Sequence, residues 1–131
     1  ALPAEAQARV RGANVPVLLL PPRYASEAQA VAGPTFLSFH APDGDTTVIL
    51  EATNVVHHDL GGEAAPSEHR VRGVAAQTSI NEGIRYVTWS VPGAFYRLEV
   101  ECHSMPLEDS RCARSGFVLD LAEELVQWSN P

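Results

Sequence analysis

Apolar and polar residues alternate through residues 83–102, and the rest of the chain can be organised around this stretch. Its sequence is GIRYVTWSVPGAFYRLEVEC, in which Pro92-Gly93 separates two alternating halves. The apolar positions are Val87, Trp89 and Val91 in the first half and Tyr96, Leu98, Val100 and Cys102 in the second. A period of two is typical of a strand with one buried and one solvated face, and Pro-Gly marks a turn. The pattern therefore predicts an antiparallel hairpin.

Three more regions carry strand signals. Residues 35–40 and 46–53 flank the turn sequence PDGD and predict a second hairpin. Residues 69–77, HRVRGVAAQ, predict one further strand that leads into the first hairpin. The apolar run Val15–Leu20 contains a proline, which has no N–H to donate, so it predicts an edge strand or an extended segment under the core.

Helical signals lie at the two ends of the chain and at one point between them. Leu2–Arg11 predicts a short helix, because a proline suits its first turn and a glycine follows its end. Ser26–Ala32 predicts one or two helical turns. Ser115 can cap a last helix that extends to about Trp128. The apolar face of that helix would consist of Val118, Leu121, Ala122 and Leu125.

Together these elements predict an α+β fold. We expect a single curved antiparallel sheet of five to six strands, with a short N-terminal helix and a C-terminal helix packed on one face. A chain of 131 residues is expected to form one domain, so residues 1–131 are interpreted as a single folded unit.

Charge and composition exclude several classes of partner and chemistry. A net charge of -7 and a pI of about 5.1 are opposite to the basic surface that nucleic acids require, so no nucleic-acid partner is expected. The longest apolar run, Val15–Leu20, is far too short to span a membrane. All nine basic residues are arginine, which excludes chemistry that needs a lysine, such as a Schiff base.

Two cysteines, Cys102 and Cys112, enclose the short acidic segment HSMPLEDSR. Their placement between a strand end and a helix start favours a disulfide over two free thiols, and no C-x-x-C pair indicates zinc. The sequence opens at Ala1 without a methionine, as a mature chain does after removal of a secretory signal, and as a trimmed chain also does. A disulfide favours the first interpretation, so the domain is expected to be periplasmic or secreted.

Several motifs resemble those of a known group of proteins. They are VPVLLLPPRY near the start, RVRGVAAQ and the 83–102 hairpin in the middle, and VLDLAEELVQW near the end. The matching positions are Gly73, Gly83, Val87, Trp89, Gly93, Tyr96, Leu98, Ala122, Glu123 and Leu125. The chain thereby resembles extracytoplasmic sensor domains attached to anti-sigma factors and lipoprotein-like periplasmic half-barrel proteins. The resemblance implies a half-barrel that carries a lipid or senses the state of the cell envelope. The segment between the two cysteines is extra to the family's pattern.

Histidines and serines are the residues with which the chain could hold a metal or act on a substrate. His57, His58 and His69 predict a candidate zinc or copper site, although adjacent histidines on an extended chain point to opposite sides. The alternative is that all three are solvated on a loop. A serine hydrolase could use His40 or His103 as its base. The serines available to it are Ser38, Ser79, Ser90 and Ser104, none of them in a G-x-S-x-G motif. No cofactor is predicted.

Aromatic residues could line a cavity between the curved sheet and a helix, or could fill a core. They are Tyr86, Trp89, Phe95, Tyr96 and Trp128. The predicted ligand-binding residues are Trp89, Tyr96, Leu98 and Trp128. Glu99 and Glu101 alternate with the core positions, so they are expected to decorate the solvated face with Arg97 as their partner.

These observations favour a non-catalytic extracytoplasmic binding or sensor module for a protein partner or a small apolar ligand, with the concave face of the sheet as the site. Two alternatives stay open. One is a small metal- or serine-dependent hydrolase that uses the His57–His69 loop. The other is an inhibitor or immunity-type protein whose acidic surface meets a basic partner.

Overall fold

The computed structural model describes residues 17–25, 28–54, 69–103 and 111–127, together with Ala4 and Ala8, which are both helical and exposed. The elements in these ranges are β1 (Leu18–Leu19), α1 (Pro22–Ala25), β2 (Gln29–Ala32), β3 (Phe36–Asp43), β4 (Thr46–Thr53), β5 (His69–Val71), β6 (Val74–Asn81), β7 (Ile84–Val91), β8 (Ala94–Cys102), α2 (Gly116–Glu124) and β9 (Val126–Gln127). No helix within these ranges is long and apolar enough to cross a bilayer.

The main sheet has seven antiparallel strands in the order β2-β3-β4-β8-β7-β6-β5. A separate two-stranded ribbon pairs β1 with β9, placing Leu18 opposite Gln127. The α+β class is therefore as predicted, but the described residues form more strands than the five to six expected. Both predicted hairpins are present, as β3–β4 and β7–β8, with Gly44 and Gly93 at positive φ in their turns.

The extra strands come from two segments whose local patterns predicted something else. Residues 69–77 form two strands rather than one, because Arg72 and Gly73 adopt positive φ values of 53° and 82° and reverse the chain. The helical turns expected over Ser26–Ala32 are replaced, within the described residues, by β2, which pairs along its whole length with β3. Tertiary pairing overrides a short helical pattern that has no stable helix to extend it.

The last helix is shorter than predicted. It ends at Glu124 rather than near Trp128, because Leu125 has an extended ψ of 143° and leads the chain into β9. The N–H of Leu119 donates to the carbonyl of Ser115 at 3.0 Å, but the Ser115 side chain makes no capping hydrogen bond.

One face of the main sheet carries the core. Buried residues of the strands pack there against buried residues in and around α1 and α2. The strand residues include Leu37, Phe39, Ala41, Val48, Leu50, Ala52, Val87, Trp89, Tyr96, Leu98 and Val100. The residues in and around the helices include Leu20, Tyr24, Val118, Leu121, Ala122 and Leu125. Helix α2 contacts β5, β7 and β8, while α1 contacts β3. We call this the covered face. The alternate residues of the same strands form the second face.

The predicted disulfide joins Cys102 at the end of β8 to Cys112 before α2. Arg85 supports the same junction from β7: its Nε and Nη2 donate to the carbonyl of Cys112 at 3.2 and 3.1 Å, and Nη2 also donates to the carbonyl of Ala113 at 3.1 Å. The covalent bond and the guanidinium together fix where the chain leaves the sheet and enters α2.

Candidate ligand-binding groove

A groove of about 530 Å³ lies on the second face, over β2, β3, β4 and β8. It is lined by Val31, Phe36, Leu37, Ser38, His40, Glu51, Ala52, Thr53, Phe95 and Arg97. The strand register explains this composition, because cross-strand partners project from the same face of a sheet. The register places Phe36, Thr53 and Phe95 in one row across the strands. It places Val31, Ser38, Glu51 and Arg97 in the next row.

The first row gives the groove an apolar end. Phe36 is 42% exposed, and Val31, which belongs to the next row, is 47% exposed, so two of the large hydrophobic side chains that reach solvent line this groove. The ring of Phe36 rests on the chain between β2 and β3, where a Cβ on Gly33 would lie 2.4 Å from Phe36 Cε1. The N–H of Gly33 donates to the carbonyl of Phe36 at 2.9 Å. The absence of a side chain at Gly33 therefore leaves room for this ring.

The second row is polar apart from Val31. Ser38 is buried and its Oγ lies 2.9 Å from Nε2 of His40, which is two residues along the same strand. Glu51 lies between Ser38 and Arg97 in the register and is exposed. Within the described residues, the side chain of Glu51 forms no hydrogen bond or ion pair, although its backbone belongs to the ladders of β4. The row thus contains a hydroxyl, which is engaged with the imidazole of His40 outside the row, and a carboxylate that is open to a ligand.

Arg97 is paired within its own strand. Its Nε lies beside Oε1 of Glu99 in an ion pair, and its guanidinium stacks over the ring of Tyr86 at 4.2 Å. The buried Nε is close to the carboxylate but not aligned for a hydrogen bond. Glu99 was expected to be an exposed surface residue, yet it is only 9% exposed. Its burial raises the pKa of the carboxyl group, Arg97 opposes that effect, and Glu51 adds to it.

Three of the predicted ligand-binding residues, Trp89, Tyr96 and Leu98, lie on the covered face rather than in this groove. Trp89 and Tyr96 are opposite one another on β7 and β8 and stack with ring centroids 5.3 Å apart. They line a smaller cavity of about 230 Å³ that also contacts Leu18 of β1 and Arg72. Leu98 is fully buried in the core and lines neither cavity. Trp128 lies outside the described residues.

The predicted metal ligands are not brought together by the part of the chain that the structure describes. His69 begins β5 opposite Ala76, while His57 and His58 lie outside the described residues. No group of three or more potential ligands from His, Cys, Asp and Glu occurs within residues 17–25, 28–54, 69–103 and 111–127.

One pair of predicted hydrolase residues does come together. Ser38 and His40 are in contact in the groove, whereas His103 contacts Thr47 Oγ1 at the far end of the sheet. β3 pairs with β2 on one side and with β4 on the other, so its N–H groups around Ser38 are used in the two ladders. Acyl transfer at Ser38 would need donors for an oxyanion, and this stretch of backbone has none to spare.

Of the residues named from the sequence, Phe95 lines the groove, as do Ser38 and His40, whereas Val31, Phe36 and Glu51 were missed. The sequence predicts helical turns over the segment that contains Val31, and a strand over residues 35–40 without indicating that Phe36 is exposed. The signal that could have found them is the cross-strand register, because Phe36 and Phe95 become neighbours only once β4 is placed between β3 and β8.

Comparisons with protein-family models, with curated proteins and with solved structures found no match for this chain. The resemblance to extracytoplasmic sensor domains and periplasmic half-barrels therefore rests on the sequence motifs alone.

Proposed function

We propose that the protein is a non-catalytic extracytoplasmic binding module whose ligand is a small molecule with an apolar body, held in the groove on the second face. The observation that carries the proposal is the groove itself: about 530 Å³ in volume, with Val31 and Phe36 exposed at one end. Ligand pockets of a few hundred Å³ with apolar walls and a few polar groups are typical of small-molecule sites.

The rigidity of the walls supports the proposal. Most of the groove's residues lie on β3, β4 and β8, which are interior strands of the sheet, so their positions are fixed by ladders on both sides. A ligand would find the groove already formed and would pay little for ordering it. Covering two exposed apolar side chains removes on the order of 100–200 Å² from water, which contributes roughly 2.5–5 kcal/mol before the entropy of association is subtracted.

The disulfide supports an extracytoplasmic location. Cys102 and Cys112 are bonded, and structural disulfides are stable in the periplasm or outside the cell, where thiols are not kept reduced. A periplasmic or secreted binding module is the function that combines this compartment with the groove.

Phe36→Ala tests the proposal, with Ile80→Ala as its matched control. Both side chains are 42% exposed, but Ile80 lies on β6 outside the groove. The probe is the uncharged dye N-phenyl-1-naphthylamine, whose fluorescence rises in apolar sites. We expect saturable binding to the wild type, a loss of about tenfold in affinity for Phe36→Ala, and no change for Ile80→Ala, because only the first substitution removes apolar wall. Absence of saturable binding, or an equal effect of both variants, overturns the proposal.

A serine-dependent hydrolase is the second candidate, and the contact between Ser38 and His40 is the observation in its favour. The hydroxyl and imidazole are within the reach that a nucleophile and its base require. Turnover of p-nitrophenyl butyrate by the wild type, abolished in Ser38→Ala, would establish the hydrolase. Equal background rates for both proteins would leave Ser38 and His40 as a polar contact in the groove wall.

The third function class, an acidic inhibitor or immunity-type protein, is supported by the net charge of -7. A measurement of association with a basic protein distinguishes it from the binding module. For an inhibitor of this class, added salt should weaken that association.

A further inference from the structure

We propose that the groove selects ligands that carry a positive charge next to their apolar body, with Glu51 as the countercharge. This inference deepens the proposed function and rests on the groove being a ligand site. The chemical class is an alkyl or aryl amine or a quaternary ammonium compound. The carboxylate, the apolar row beside it and the charge of the surrounding groups each point to this class.

Among the residues that the structure describes, none forms an ion pair with the carboxylate of Glu51. It lies within β4, with Ser38 opposite it on β3 and Arg97 opposite it on β8. Ser38 is engaged with His40, and no described residue forms an ion pair with Glu51. Because it is exposed at the groove surface, the carboxylate is solvated when the groove is empty and available to a cation that enters.

Among the described residues that line the groove, the guanidinium of Arg97 is the permanent cation, and it is already paired. Arg97 forms an ion pair with Glu99 through Nε and stacks on Tyr86. Glu51, Glu99 and Arg97 together contribute two carboxylates and one guanidinium, which leaves one excess negative charge among these three groups. An anionic ligand would be repelled by Glu51 and would have to compete with Glu99 for Arg97, whereas a cation meets an unpaired countercharge.

The apolar row is placed to hold the rest of such a ligand. Phe36 and Phe95 lie on strands that flank β4, with Thr53 between them, so their backbones are roughly 9.6 Å apart. A methylene chain or a small ring fits between two aromatic side chains at that separation. Glu51 is two residues from Thr53, which places its row roughly 6.8 Å from the aromatic row. The faces of the aromatic rings also attract an ammonium group.

Three probes that share a decyl chain test the charge preference: decyltrimethylammonium, decyl maltoside and decyl sulfate. Each is titrated by isothermal calorimetry below its critical micelle concentration. We expect the cation to bind about threefold to tenfold more tightly than the neutral probe, and the anion to bind most weakly, since an exposed ion pair contributes a modest free energy. Added salt should weaken cation binding and leave the neutral probe unchanged.

Glu51→Gln identifies the group responsible, and Glu82→Gln is the matched control. Glu82 is exposed in the turn between β6 and β7, so the control makes the same change in net charge outside the groove. We expect Glu51→Gln to reduce the affinity for the cation to that for the neutral probe, and Glu82→Gln to leave it unchanged. Equal losses in the two variants would mean that the net charge of the protein attracts the cation, and would overturn the inference.

The neutral probe separates failure of this inference from failure of the proposed function. If decyl maltoside binds, and Phe36→Ala weakens it, while all three probes bind alike or the anion binds best, the groove is a ligand site and the charge preference is wrong. If none of the probes binds, or Phe36→Ala affects none of them, the groove is not a site for small ligands and both proposals fail.

Discussion

The two faces of the main sheet are built from alternate residues of the same strands, yet they are chemically different. On the covered face, Leu98 and its neighbours are fully buried against α2. On the second face, the next residues along β8 are Arg97 and Glu99, an ion pair that forms part of a polar surface beside an apolar groove. Adjacent residues of β8 therefore lie alternately in the core and on the face that carries the candidate site.

This contrast separates residues that maintain the fold from residues that are free to bind. The covered face contributes buried area, and its polar contacts, such as those of Arg85, attach the chain around the disulfide to the sheet. In the groove on the second face, Val31 and Phe36 are exposed hydrophobic side chains, and the carboxylate of Glu51 forms no ion pair with a described residue; none of the three contributes to the core. Substitutions on the covered face should therefore change the free energy of unfolding, whereas substitutions in the groove should change ligand binding.

Leu98→Ala is expected to have the largest effect, because Leu98 is 0% exposed at the centre of the covered face. Loss of its buried methyl groups and the cavity left behind should lower the free energy of unfolding by about 3–4 kcal/mol. Thr88→Ala, on the neighbouring strand but on the second face, should cost less than about 1 kcal/mol. Urea denaturation measures the free energy of unfolding of both variants and of the wild type. Similar losses would break the contrast between the two faces.

Removal of the disulfide should have the next largest effect. The Cys102→Ala/Cys112→Ala variant releases a ten-residue separation, which by the chain-entropy estimate should cost about 3 kcal/mol. The loss should be concentrated where the bond joins β8 to the segment before α2. Hydrogen exchange measured by mass spectrometry should show faster exchange in α2 and at the end of β8 than in the β3–β4 hairpin. Uniformly faster exchange over all these elements would contradict a local role.

Asp43, on the covered face, makes a smaller and pH-dependent contribution to the free energy of unfolding. The hydroxyl of Tyr24 donates to its Oδ2 at 2.7 Å and Arg111 forms an ion pair with the same oxygen. These contacts lower the pKa of Asp43 below its ordinary value of 3.8, although partial burial opposes them. A lowered folded-state pKa stabilises the fold fully above the ordinary value, and this stabilisation is lost as the pH falls through the lowered one.

Asp43→Asn should therefore lower the free energy of unfolding by roughly 1 kcal/mol at neutral pH and by progressively less below pH 4. The pKa of Glu99 is raised by burial, so Glu99 acts in the opposite sense, but it is present in both proteins and largely cancels in their difference. Denaturation at a series of pH values measures that difference. A difference that stays constant down to the acid limit would exclude the ionic contribution of Asp43.

The sequence predicted the covered face better than the second face. The alternation of Val87, Trp89 and Val91 depends only on which residues are apolar, so both long hairpins and the core could be read from local patterns. The groove depends on which strands are neighbours, because the residues beside Phe36 and Glu51 in the groove are set by the position of β4 between β3 and β8. Periodicity along the chain carries no information on that register. β2 was not predicted because its short pattern of apolar residues also suits a helix.

Gly33→Ala should have the smallest effect on stability, and it tests whether the groove can be altered separately from the core. A Cβ at this position would collide with the ring of Phe36, which is 42% exposed and can turn away into solvent. The free energy of unfolding should then change by less than about 0.5 kcal/mol, because no core residue moves and the unfolded chain loses some freedom. Binding of N-phenyl-1-naphthylamine should weaken, since the displaced ring no longer forms the apolar end. A variant that loses stability without any change in binding would show that the ring belongs to the fold rather than to the site.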